Sequence, residues 1–235
     1  AGEDNVHRRR VDFTGAAIEA FLKESDTYHE GGANLPVLPA LKAAGTPKLD
    51  GVLDEPCWRQ AEAQPFKMAF TGEAPEATKA TTVQAVWTPQ GVTFGFKLQE
   101  PDIDNIRALR AEHDQAIYAD DCIEIFLDIT GERRRYYQIV ANSLGAIYDG
   151  TAEGAAWNAA GTKAAAHRED DHWSLEVHVP ISDFEDAPAV QIGSVWYANF
   201  TRSRWVPGFE LQRWSTLLRP SNHDFSAFGK VRFVE

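Results

Sequence analysis

YADDCIEIFLD, residues 118 to 128, decides how the rest of the chain is read. Ile123, Ile125 and Leu127 alternate with Cys122, Glu124, Phe126 and Asp128. Successive side chains of a strand point to opposite faces, so the three large aliphatic residues face a core and Glu124 stands on the reverse. A carboxylate is costly to remove from water without a partner. Glu124 therefore meets solvent, a cation or a polar ligand.

Outward from that strand, the composition sets limits. The chain has 235 residues, 43% of them hydrophobic, enough for one substantial domain. A net charge of −12 argues against nucleic acid or an anionic membrane as partner, because both select basic surfaces. No apolar run approaches the roughly 20 residues of a membrane-spanning helix, so no membrane insertion is expected. The opening AGEDNVHRRR has no apolar segment, so any secretion signal is expected to have been removed already. Cys57 and Cys122 are the two cysteines. Neither lies in a CxxC pair, which excludes a cysteine-built zinc site, and both sit among apolar neighbours as expected of buried free thiols. Seven tryptophans is a high count, and any exposed one would offer a platform for a flat apolar ligand face.

Residues 1–41 read as an extension. Ala17, Ile18, Phe21 and Leu22 repeat at helical spacing after a Thr14 cap, giving a short helix over 14–26, and LPVLPAL follows as an extended segment. The domain is expected over 42–235. Residues 79–87 and 92–98 alternate around Thr88-Pro89-Gln90-Gly91 and predict a hairpin. A helical turn or two is expected over 106–114. Strands follow at 136–142, 146–148, 173–179, 193–202, 212–216 and 228–234, and the Ala/Gly-rich 151–161 around Trp157 reads as a loop. In the strand at 173–179, Trp173, Leu175, Val177 and Val179 point in, while Ser174, Glu176 and His178 point out. About nine short strands with turn signals about every 8 to 12 residues predict an all-β fold, a β-sandwich of antiparallel strands with a short N-terminal helical extension.

Several side chains are candidates on chemistry alone. Asp102, Asp104 and Asn105 have a spacing that offers oxygen ligands to calcium, without the glycine and distal glutamate of an EF-hand, and a solvated acidic turn is the plainer reading. Trp205 follows Arg202 and Arg204 and precedes Pro207-Gly208, so it sits at a turn. Arg202 is a candidate partner for Glu124 across the sheet. Trp157 is either a lid on the sheet or a binding ring.

LDGVLDEPCW (49–58), VQAVWTPQGVTFGFKLQEPD (83–102), DDCIEIFLD (120–128), YYQIVANSLGAIYD (136–149), HWSLEVHVPISDF (172–184), WYANFTRSR (196–204) and FGKVRF (228–233) occur in an order and spacing that resembles the family-nine carbohydrate-binding modules. The resemblance implies a sandwich of the DOMON-like group that binds polysaccharide or oligosaccharide ends, serves carbohydrate catabolism and acts outside the cell or in the periplasm. It implies no required cofactor, though structural calcium is possible. It implies two aromatic rings clamping the sugar. Tyr118, six residues before Glu124, matches the first, and Glu124 matches the hydroxyl-binding acid. Gln138 stands where the family's form carries a basic residue. Asn222 stands where the second ring is expected, so the clamp is half absent. Either Asn222 and His223 make polar contacts instead, or Trp157 or Trp205 supplies a ring, or the chain departs from the family's way of binding.

Two other functions compete. A glycoside hydrolase needs two carboxylates facing across a cleft, and Glu124 and Glu176 are the strand-borne pair on offer. A haem-binding DOMON-like domain needs axial ligands, and Met68 is the single methionine.

Overall fold

The structure is a computed structural model and describes residues 35–132, 134–152, 154, 157–185, 187–216 and 222–235. The helix expected over 14–26 lies outside the described residues. The strands are β1 (Val37–Lys42), β2 (Gln64–Pro65), β3 (Lys67–Met68), β4 (Thr81–Thr88), β5 (Gly91–Gln99), β6 (Cys122–Asp128), β7 (Tyr137–Asn142), β8 (Ile147–Thr151), β9 (Lys163–Arg168), β10 (His172–Pro180), β11 (Val195–Arg204), β12 (Glu210–Arg213) and β13 (Gly229–Val234). One α-helix, α1 (Pro56–Gln60), is described.

The hydrogen-bonded order is β8-β7-β6-β11-β13-β1-β4-β5-β10-β9. All pairs are antiparallel except those of β1, which runs parallel to β13 on one side and to β4 on the other. β1 thus joins two antiparallel layers, which fold face to face as a β-sandwich. The compact unit begins at Leu35, so the proline-spaced segment expected to precede the domain supplies its joining strand. Pro39 pairs in register with Arg232 of β13 and lies before Ala40–Lys42, the stretch of β1 that pairs with β4.

The core lies between the layers. Ile123, Ile125, Ile139 and Phe200 come from one side, and Phe94, Phe96, Trp173 and Leu175 from the other. Phe200 meets Phe94 at 5.1 Å and Phe96 at 5.7 Å between ring centroids. The alternation of β4, β5, β6 and β10 is obeyed throughout.

Two local expectations change, and one strand is added. Residues 106–114 form no helix. The N–H groups of Arg107, Leu109 and Arg110 donate to the carboxylates of Asp121 and Asp120 instead of to a helical ladder. β9 was not legible, because Ala164, Ala165 and Ala166 carry no alternation. Glu176, expected to point to solvent, is 0% exposed. The chain at 50–58 covers it, and its carboxylate accepts the N–H of Asp50 (3.0 Å), the N–H of Gly51 (2.9 Å) and the indole N–H of Trp58 (3.0 Å). Gly51 (φ +83°) is required there, since a Cβ would lie 2.4 Å from the backbone of Ala166.

Candidate functional site

Glu124 pairs with Val140 on β7 and Thr201 on β11, so it stands mid-sheet on the outer face of its layer. That face is not bare. Ile117, Cys122, Val140 and Ala146 form one apolar cluster on it, and Phe126, Tyr136 and Phe228 form another. Glu124 lies between them, 7% exposed, in the wall of a cavity of about 400 Å³. Burial raises its carboxyl above the usual range, against the opposing pull of hydrogen bonds from Gln138 and of the Arg213 charge. Gln138 Nε2 donates to Glu124 Oε2 at 2.8 Å.

Tyr118 reaches the cavity from a loop. The 3-10 turn at Ile117–Ala119 buries Ile117 and lifts Tyr118, which is 49% exposed. The ring meets Tyr148 of β8 edge-on at 5.7 Å. Two aspartates hold this loop. Asp120, fully buried, accepts the N–H groups of Leu109 and Arg110, the Arg110 guanidinium at 2.7 Å and the Asn142 amide. Asp121 accepts the N–H of Arg107 with one oxygen and the N–H of Trp205 with the other, so it ties the Tyr118 loop to the turn after β11.

That turn forms the facing wall. Trp205 packs on Phe209 at 4.7 Å, and the Arg107 guanidinium lies 5.4 Å from the Trp205 ring centre. Asn222 and His223 line the same cavity. Arg213 Nε donates to Asn222 Oδ1 at 2.8 Å, and Tyr136 Oη is hydrogen-bonded to His223 Nδ1. Arg213 and Glu124 both pair with Thr201, one strand away on each side, so their Cα atoms stand about 10 Å apart. The chemistry on offer in one concave space is a buried acceptor, two side-chain amides and a half-exposed ring, with the buried Arg213 cation behind Asn222 outside the cavity lining. That set matches a polyhydroxylated ring with one apolar face.

Residues 49–232 match the family described as carbohydrate family 9 binding domain-like. The chain belongs to that family. Solved structures agree in fold. A candidate carbohydrate-binding protein of Bacteroides uniformis aligns at TM-score 0.69 and 19% identity, covering 85% of this chain and 100% of its own. A family 9 carbohydrate-binding module of Caldicellulosiruptor kristjanssonii, in complex with cellotriose, aligns at TM-score 0.65 and 13% identity, covering 85% and 94%. The module of that organism in complex with glucose aligns at TM-score 0.60 and 14% identity, covering 83% and 95%. No curated protein matches the chain closely enough to count as a relative.

On this family 9 fold, the structure brings Tyr118, Glu124, Gln138, Trp205 and Asn222 to one cavity. Two candidates fall elsewhere. Trp157 stacks on Phe184 (5.6 Å, 11° between planes), touches Tyr137 and donates its indole N–H to Asp183 O, so it is a lid on the core. Arg202 pairs with Ile123 across the ladder, which turns it to the face opposite Glu124. Between the layers it binds Glu100 at 3.0 Å and donates to the carbonyls of Lys79 and Gln99. The expected Arg202–Glu124 pair is therefore replaced by Arg202–Glu100.

Asp102 Oδ1 already accepts the Asn105 amide, and Asp104 is exposed. Among the described residues, His113, Asp114 and Asp149 bring ligand atoms within 4.8 Å of one another. An imidazole in that set suits calcium poorly, since hard cations take oxygen ligands. Sequence reasoning missed Arg213, Tyr148, Ser203, Phe209 and Leu211 as lining or neighbouring groups. Tyr148 had a signal in the alternation of Ile147, Tyr148 and Asp149; Arg213 had none, because its place depends on the register of β12 on β11.

Proposed function

We propose that the cavity beside Glu124 binds the end of an oligo- or polysaccharide chain and does not cleave it. The observation that carries this reading is the Glu124 carboxylate, hydrogen-bonded to Gln138 at 2.8 Å, walling a cavity of about 400 Å³ whose rim carries a half-exposed tyrosine ring. Tyr118 stacks on the apolar C–H face of a pyranose. Glu124 accepts its hydroxyl protons, while Gln138 and Asn222 exchange hydrogen bonds with the ring's outer hydroxyls. Trp205 closes the opposite side in place of the ring that the chain lacks at 222. A role in carbohydrate catabolism and a location outside the cytoplasm belong to the same proposal, since that is where polysaccharide ends are met.

The geometry speaks against the hydrolytic alternative. Glu124 and Glu176 lie on the outer faces of opposite layers, with the whole core between them. Glu176 is also spent on three protein donors. Met68, the haem candidate, sits in β3 beside β12, in a cleft open to solvent that also holds the side chain of Lys79. Lys79 Nζ is paired with Glu76 at 3.0 Å.

Titration calorimetry with glucose, cello-oligosaccharides and a wider glycan panel tests the proposal. Saturable heat with at least one saccharide, lost in Glu124→Ala and weakened in Tyr118→Ala, is expected. No heat with any member of the panel overturns it, and so does binding that ignores both substitutions. A purified protein with a Soret absorption band would point to haem instead.

A further inference from the structure

We propose that a second cleft, on the far side of Phe209 from Glu124, is a saccharide subsite that takes the continuing residues of a chain whose end occupies the first cavity. This rests on the carbohydrate reading of the Glu124 cavity and extends it from a sugar end to a chain of several rings.

The cleft measures about 440 Å³ and shares Phe209 and Leu211 with the Glu124 cavity, so the two spaces lie on either side of one apolar ridge. Phe70 lines its far side. Phe70 is 60% exposed, yet the turn that carries it is pinned: Ala69 N–H donates to Leu211 O at 3.0 Å and Gly72 N–H to Met68 O at 2.9 Å. Met68 pairs with Gln212, which anchors the base of the turn on β12. A phenylalanine held out in water on a fixed turn has no role in the core. The Arg213 guanidinium, buried and outside the cleft lining, lies 6.0 Å from the ring centre and holds the ring by a cation contact. Lys79 and Glu210 add a cationic donor and an anionic acceptor to the same cleft.

The occupant follows from the chemistry. A flat ring beside charged hydrogen-bonding groups is the arrangement that fits a pyranose, with C–H groups on one face and hydroxyls at the edge. A cleft of this volume suits a small molecule or a chain segment. A protein partner would need a contiguous surface of about 1,000 Å² or more. Continuity across Phe209 makes the natural occupant more of the molecule already held at Glu124.

The test is the dependence of affinity on chain length. With the oligosaccharide series of whichever glycan binds, wild-type protein is expected to hold the tetra- and hexasaccharide about five- to tenfold more tightly than the disaccharide, the gain of one added stacking contact. Phe70→Ala is expected to remove that gain and leave disaccharide affinity unchanged, while Phe70→Tyr keeps it. Affinity that is flat with length in the wild type overturns the subsite while leaving the end-binding site standing. A length gain that survives Phe70→Ala does the same. If no saccharide of any length binds, both proposals fall together.

Discussion

Tyr118 and Glu124 act by different physics, and each can be removed without the other. The Tyr118 ring is exposed and makes one edge contact with Tyr148, so the fold does not depend on it. Tyr118→Ala is expected to weaken saccharide binding by about tenfold, the upper range for one aromatic contact, with the unfolding midpoint unchanged. Calorimetry beside thermal melting checks both halves. Glu124 is buried, and burial raises its carboxyl. It therefore takes up its proton at a higher pH than an exposed glutamate. Once protonated it is a weaker acceptor of hydroxyl protons, so affinity is expected to fall on acidification while ordinary surface carboxylates are still charged. In Glu124→Gln, binding is weaker and this acid limb is absent. An acid limb that persists in Glu124→Gln would assign it to another group.

Two loops are held by buried acids, one far from the Glu124 cavity and one beside it. The chain at 50–58 is clasped by Glu176, whose carboxyl burial pushes up to about 7 despite three N–H donors that favour its charge. Its folded value lies above its unfolded one, so between about 4.5 and 7 the folded state binds more proton than the unfolded state. Stability from this group is full below the unfolded value and declines as pH rises through that window. The melting temperature is expected to fall from pH 5 toward pH 7.5, and Glu176→Gln, which keeps the neutral shape, flattens the slope. The loop at 106–121 is clasped by Asp120. Asp120→Ala strands the Arg110 guanidinium and two loop N–H groups, at a cost of about 3 kcal/mol measured by urea denaturation. It also frees the turn that carries Tyr118, so affinity drops with stability. Full affinity in a destabilised Asp120→Ala protein would separate the loop from the site.

The two layers are held together by apolar contact in the middle and a charge cluster near one end. Phe200 touches rings of the opposite layer and Trp214 of its own neighbourhood, so Phe200→Ala removes cohesion on several sides and is expected to cost about 3–5 kcal/mol. Glu100 receives Arg202 and, in a two-point bond, Arg204, with all three side chains buried between the layers. Glu100→Gln leaves two guanidinium groups without their carboxylate and is expected to cost a further about 3–5 kcal/mol, read as a shifted denaturation midpoint. Apolar replacement of the whole triad is expected to cost much less than that single change, because the loss comes from stranding a charge.

Alternation settled which face each residue of β4, β5, β6 and β10 presents, because the two-residue period of a strand is a local property of the backbone. The order of seven stretches was enough for the family. Alternation also held the answer for Arg202, two residues from Phe200 and therefore on the core face. The helix expected over 106–114 yielded to Asp120 and Asp121, side-chain acceptors that no periodicity records. The remaining features were settled by pairing between distant segments. The sequence marks Glu124 as outward; only the turns and loops packed on that face make outward mean buried. Tyr148, Phe209, Leu211 and Asn222 meet around one cavity, and Arg213 bonds to Asn222 beside it, because β12, β8 and the chain after 221 are brought to β6 by ladder register and loop packing. Those contacts join residues tens of positions apart, and a single strand's pattern carries no information about its neighbours.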